Sequence, residues 1–513
     1  MTPPKIVLVL LGLLLAVASS LLAVQPAAAD ADGCDDGYST DFDGDGFSDT
    51  VVADPYATVA GQSQAGRVVV RYGDSGLIGE GTPAVISQNS AGVLDAAEAG
   101  DRFGFSLAVG DVNCDEFADL VVGSPYEDVG MAVNSGLAQI VWGAAGGLGT
   151  GDPSRQLTQV SFAEAVHPGD QFGFAVDLLE DVGQGGTPEP DAFALGIGAP
   201  GFDVGGDTDA GWVGVEAALD GGSWTHSITQ DTPGIPGAAE PGDRFGASIS
   251  INYLVGESGT VDVAVGAPNE DIGSLADAGQ VTVLRDVYDE GDGALVYDQN
   301  SAGVPGGVEA GDRFGRSLDS IVVGATSRLA VGVPGEDVGS VSNAGLVQLF
   351  SESSDVLNPG TALTQNTAGV GDSSQTGDLF GDKVAFAPAG VGAPGTKLAV
   401  SAPDEDGAAN STGLVQVFPM SDLDNEDTYT QSTAGVPGAA EAGDRFGSTV
   451  AIVTGGSEQA LIVGVPDDVG HNTGMVDVIP LGAGAPRFWA PGTGGIPGAG
   501  SSRFGDALAT SGS

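Results

Sequence analysis

The chain has 513 residues, with 70 acidic and 15 basic side chains and a formal charge of −55. That balance excludes a nucleic-acid binder, which needs a basic face to displace counterions from phosphates, and it disfavours docking on anionic membranes. Hydrophobic residues make up 41% and charged residues only 17%, so a folded chain is expected; 86 glycines without a Gly-X-Y period point to frequent tight turns.

Residues 1–29 read as an export signal: Lys5, then a long apolar run, then the small residues Ala27–Ala29. The run is also long enough for a membrane anchor, but a polar, acidic chain starts at once from Asp30. The expectation is a secreted, extracellular chain, 30–513, with no membrane span after signal removal. Cys34 and Cys114 are the two cysteines; an oxidising compartment permits a disulfide between them, and two free thiols are the alternative.

The first feature after the signal is the loop DFDGDGFSDT at 41–50. Asp41, Asp43, Asp45, Phe47 and Asp49 fall on alternate positions. Ca²⁺ takes six to eight oxygens, and alternate carboxylates on a tight loop can converge on one ion, with Phe47 giving its backbone carbonyl and Gly46 the turn. An EF-hand loop starts the same way, but its twelfth position is Glu and helices flank it. Here that position is Val52, and the flank reads as a strand. Downstream, Asp111, Asn113, Asp115, Phe117 and Asp119 repeat the pattern, with Glu116 in place of the glycine. Two Ca²⁺ sites are predicted, in the first two repeat units, and none in the later ones.

A repeat then becomes visible. GDRFG at 100–104 recurs as GDQFG (169–173), GDRFG (242–246, 311–315, 443–447) and GDLFG (377–381), and SSRFG stands at 501–505. Each Phe-Gly heads one predicted strand. A strand ending in Pro follows, as in LVVGSP (120–125), then an alternating strand after Ala-Gly or Ser-Gly, as in AGQVTVLRD (278–286), then a fourth beside a Thr-Gln or Asp-Gln pair. Four short strands per unit of about 66 residues describe a propeller blade better than a shorter solenoid unit. The first unit lacks its Phe-Gly strand and the last Phe-Gly lacks its followers. The fold predicted is therefore all-β: a seven-bladed β-propeller of four-stranded blades, closed by pairing of the C-terminal strand (503–510) with the N-terminal blade.

The segment DRFGFSLAVGDVNCDEFADLVVGSP (101–125) resembles the FG-GAP repeat family, and the resemblance extends from about residue 37 to 510. The family forms the propeller of integrin α chains and the non-catalytic part of glycosylphosphatidylinositol-specific phospholipase D. It implies Ca²⁺ loops between first and second strands. In integrins those loops occupy later blades, whereas here they occupy the first two. The leg domains are not expected, so pairing with an integrin β chain is not carried over. Neighbouring blades would bring Cys34 close to Cys114, as a disulfide staple requires.

Arg102, Arg244, Arg313, Arg445 and Arg503 precede Phe-Gly; such a ring could bind an anionic ligand, but each is expected to pair with a nearby carboxylate and pack its stem against the blade. Acidic turns follow the Pro motifs, for example YEDVG (126–130) and NEDIG (269–273). They read either as turn chemistry or as a face for a cationic or metal-bridged partner. His167, His226 and His471 fall in loops or strand ends, and no nucleophile–base motif accompanies them. The function expected is a secreted, calcium-binding binding or adhesion module, monomeric, with an extracellular protein or polysaccharide ligand. It is not expected to be an enzyme; the alternative is a secreted hydrolase or the accessory propeller of one.

Overall fold

The computed structural model describes residues 40–509 except 75–76, 181–191, 220–221, 257–259, 288–292, 325, 388–394, 456–457 and 499–501. The export signal and Cys34 lie outside the described residues. The strands form seven antiparallel sheets of four. In blade 2 they are Ser106–Gly110, Asp119–Ser124, Leu137–Val141 and Arg155–Leu157, hydrogen-bonded in that order. The first strand of each blade touches the first strand of the next, lining a central channel.

Blade 1 takes strands Thr50–Asp54, Arg67–Arg71 and Ala84–Ile86 from the start of the chain and Leu508–Ala509 from its end. The end strand lies against the first, with Val51 opposite Ala509 and Val52 opposite Leu508. Asp54, fully buried, accepts hydrogen bonds from the Ser502 hydroxyl (2.6 Å), the Arg503 amide (3.0 Å) and Arg67 Nε (3.1 Å).

Second and third strands, such as TVVAD and RVVVR, are buried throughout and apolar in their centres because neither face meets water. Val51 and Val68 join Leu120 and Val122 of blade 2, whereas Val52 and Val69 join Ile462 and Val478 of blade 7. Alternate side chains thus serve different neighbours, and β-branched residues fill the pleated surfaces.

The Phe-Gly pair forms the turn before the first strand and is not part of it, contrary to the reading from sequence. All seven phenylalanines, Phe103, Phe172, Phe245, Phe314, Phe380, Phe446 and Phe504, are fully buried. Each clamps onto the preceding blade. The Phe103 amide donates to the Ala65 carbonyl, and Phe103 bridges Gly66. A Cβ on Gly66 would stand 2.2 Å from the Phe103 carbonyl oxygen, and φ there is +87°, so the glycine before each third strand has a steric cause.

Removing residues 502–513 deprives Asp54 of two donors, and it takes away Phe504 and the strand beside Val51. Truncating one buried Phe costs about 3–5 kcal/mol, so the shortened chain should lose at least that in a denaturant titration. An unchanged midpoint would mean that blade 1 stands without its fourth strand.

Candidate metal centre

The two acidic loops lie side by side at the end of the channel away from the Phe-Gly turns. One leads into Thr50–Asp54 and the other joins the first two strands of blade 2. They are built alike. The Asp41 carboxylate accepts the amides of Gly44 (2.7 Å), Asp45 (3.2 Å) and Gly46 (2.7 Å), and Asp111 accepts those of Asp115 (3.2 Å) and Glu116 (3.0 Å). Asp43 and Asn113 accept the amides of Asp45 and Asp115. Asp45 and Asp115 accept the amides of Phe47 and Phe117. These bonds wind each loop so that alternate side chains point to one side.

The ninth position has a different role. Asp49 bridges the amides of Phe42 (2.9 Å) and Gly73 (2.7 Å), and Asp119 bridges those of Val112 (3.0 Å) and Gly143 (2.8 Å). Each fastens its loop to the end of the blade's third strand. Blade 4 keeps this clamp without the other spaced carboxylates: Asp262 accepts from Leu254, Val255 and Asp286. The ninth-position Asp is thus architectural in its own right.

In the first loop, carboxylate oxygens of Asp41, Asp43 and Asp49 lie within 4.8 Å of one another. Asp45 is outside that trio. The second loop has Asn113 where the first has Asp43, so it offers two carboxylates and an amide oxygen in the same places. An all-oxygen donor set of alternating acids suits a hard cation such as Ca²⁺. Burial pushes the carboxyls of Asp49 and Asp119 up to about 8 and that of Asp111 to about 6; Asp43 is raised by burial and by the charges of Asp45 and Asp41.

The loops also touch. Ala118 donates its amide to the Asp41 carbonyl (3.0 Å) and Ala144 to the Phe42 carbonyl (3.1 Å). The Phe117 ring covers Gly44, where φ is +70° and a Cβ would meet the ring at 2.6 Å. Glu180 of blade 3 accepts the Asp111 amide, a contact that no local motif announces. Cys114 is disulfide-bonded, and the chain's other cysteine, Cys34, lies outside the described residues.

The acidic turns prove to be half interior. Glu127 is buried and accepts Gln88 Nε2 (2.7 Å), with Asp101 of the GDRFG turn beside it. Glu270, Glu336 and Glu405 repeat this with Gln230, Gln299 and Gln365, and with Asp243, Asp312 and Asp378. The second acid of each turn caps it: Asp128 accepts the Asn134 amide (2.8 Å) and Asp337 the Asn343 amide (2.8 Å). His226 lies in the middle of the strand Gly222–Ile228, a correction to its placement at a strand end.

Of the arginines before Phe-Gly, Arg445 pairs with Asp404 (2.8 Å) and Arg503 with Asp467 (2.8 Å). Arg102 instead stacks on Tyr56 and Tyr126, with 4.7 and 4.2 Å to the ring centroids.

Residues 103–152 match the FG-GAP repeat family. The chain is similar to phosphatidylinositol-glycan-specific phospholipase D of Mus musculus, 35% identical over 23% of this chain and 14% of that one. It is similar to integrin alpha-PS5 of Drosophila melanogaster, 30% identical over 33% of this chain and 15% of that one. The matched part therefore spans about a seventh of these relatives. Among solved structures, the periplasmic gluconolactonase of Pseudomonas aeruginosa superposes with a TM-score of 0.41 at 13% identity, over 89% of this chain and 98% of that one, too loosely to bear on function. No helix among the described residues is long and apolar enough to cross a membrane.

Burial, then the neighbouring Asp101 charge, pushes Glu127 up to about 8; burial, opposed by an amide and aided by Glu98, pushes Asp101 up to about 6. A raised carboxyl stabilises the fold while protonated, and that contribution is lost as pH climbs through the folded value. With chelator present, the melting temperature should fall between pH 5 and pH 8. Glu127→Gln should raise it at pH 8 and leave it nearly unchanged at pH 5. Equal effects at both values would show that Glu127 does not titrate in this range.

Proposed function

We propose that this seven-bladed β-propeller, in which residues 103–152 match the FG-GAP repeat family and which is similar to integrin α chains and to phosphatidylinositol-glycan-specific phospholipase D, is a secreted, calcium-stabilised module that binds an extracellular protein or polysaccharide. The observation carrying the calcium reading is the convergence of Asp41, Asp43 and Asp49 on one point of a loop wound for it. Asp41, Asp43, Asp45 and Asp49 would supply side-chain oxygens and Phe47 its carbonyl. Asp111, Asn113, Asp115, Asp119 and the Phe117 carbonyl would do the same in blade 2. A disulfide from Cys34 to Cys114 would tie the leading segment to the second loop. The ions are structural in this reading, fixing the loops that lead into the strands of blades 1 and 2. The module itself acts through its loop faces, as a monomer.

At about 1 mM free calcium and a Kd of about 0.1 mM, one site adds about 1.4 kcal/mol of stability. Calorimetric titration should give two calcium ions per chain, and chelator should lower the melting temperature. Asp45→Ala should bind one ion fewer and lose part of the chelator response. Titration heat indistinguishable from dilution would remove calcium from both loops.

The similarity to the phospholipase favours a second reading, an accessory propeller to a hydrolase. Turnover of a phosphodiester or ester substrate by this chain, abolished by substituting His167, His226 or His471, would replace the first reading with that one.

A further inference from the structure

Comparison of the seven repeats with one another singles out one residue. At the second position after Phe-Gly stand Ser106, Ala175, Ser248, Ser317, Lys383, Thr449 and Ala507. Four of the small residues staple their blade to the next. Ser106 donates to the Gly173 carbonyl (2.8 Å), Ser248 to Gly315 (2.7 Å), Ser317 to Gly381 (2.9 Å) and Thr449 to Gly505 (2.7 Å). Lys383 forgoes that bond and sets a long cation into the channel wall. Among the described residues its ammonium group makes no hydrogen bond or ion pair, although Asp382 and Asp506 lie within electrostatic reach, and burial holds it below the usual lysine value. The staple has no room here: opposite Lys383 stands Ser401, whereas the four stapled blades carry a glycine at that place, where a Cβ would meet the staple hydroxyl at 2.1–2.2 Å.

The group faces a cavity of about 600 Å³ at the mouth of the channel where the first strands begin. Arg316, Arg445 and Arg503 line it too, so four of the 15 basic residues of a −55 chain converge here. The three arginines are already paired, Arg316 with Asp382 (3.6 Å), Arg445 with Asp404 (2.8 Å) and Arg503 with Asp467 (2.8 Å). Arg503 also reaches Asp506 (3.5 Å), which lines the cavity with Asp382 and Asp404, so Lys383 is the one of the four cations with no direct partner among the described residues. Blades 2 and 3, across the ring from blade 6, contribute Phe105 and Phe174, whose rings lie 5.0 Å apart. The cup thus has an apolar wall opposite an ammonium group that makes no direct hydrogen bond or ion pair among the described residues.

We propose that this cup binds a small organic carboxylate, its charged end on Lys383 and its ring or alkyl body against Phe105 and Phe174. The volume falls in the range of small-molecule sites, about 300–1,000 Å³. A charge-assisted hydrogen bond to a half-buried ammonium is worth more than one in water. The strongly negative chain repels extended polyanions at long range, which favours a compact ligand of single charge.

The probes are benzoate and glucuronate, with benzamide as the uncharged counterpart of benzoate, titrated into the full calcium-loaded chain by calorimetry and saturation-transfer NMR. At least one of the two carboxylates should bind, and benzamide should bind at least about tenfold more weakly than benzoate. Lys383→Ser removes the ammonium and Lys383→Met removes it while keeping the aliphatic stem, so both should fold as the parent does in circular dichroism while losing carboxylate affinity at least about tenfold. Phe174→Ala should weaken benzoate as well. No binding of either carboxylate, equal binding of benzamide, or undiminished affinity in Lys383→Ser would overturn the proposal.

Discussion

Everything in this molecule depends on the burial of a phenylalanine ring and its backbone by the blade before it. A four-stranded sheet with apolar side chains on both faces cannot stand alone in water. Each blade must be covered twice, and the Phe-Gly turn is the device that sets one blade on the last. Phe103 supplies the buried ring, Gly66 the space for its backbone, and the hydrogen bond to Ala65 the register. In the first six copies the residue before Phe-Gly is held in the left-handed region, at φ 56° for Arg102 and 59° for Gln171, so the turn keeps one shape with Arg, Gln or Leu there. The last copy, Phe504, is met by blades 1 and 7 and is as buried as the others.

The same turns organise the polar interior. Asp101 holds the turn ahead of it through the Glu98 amide and faces Glu127, which in turn holds Gln88. In blades where this set recurs, two acids and one amide side chain are shut between sheets, away from the solvent that would let both ionise. A chain of net charge −55 thus hides part of its acidity, and its formal charge overstates the field at its surface near neutral pH.

The repeat was legible in the sequence because its signals are punctuation: Gly, Pro and Asp at fixed offsets around runs of valine. Blade number and strand count followed from them. The loop at 41–49 was legible for the same reason, since alternate carboxylates have few other uses in that density. What escaped was whatever joins residues far apart in the chain. Gln88 and Glu127 each belong to a recognised element, yet nothing local says that they meet. Asp49 looked like one more ligand, and only its two amides, with Asp262 doing the same work in blade 4, expose its second task. Lys383 gave no signal until its blade could be laid over the others.

Asp262 carries a consequence for how such loops differ among the blades. The anchor that closes the loop exists there without the neighbouring acids, so fastening the hairpin does not require the spaced carboxylates. A blade can gain or lose the row of acids by exchanging two or three exposed side chains while its strands and their register stay where they are. The acidity of these loops is therefore a trait of individual blades, free to vary while the wheel itself does not.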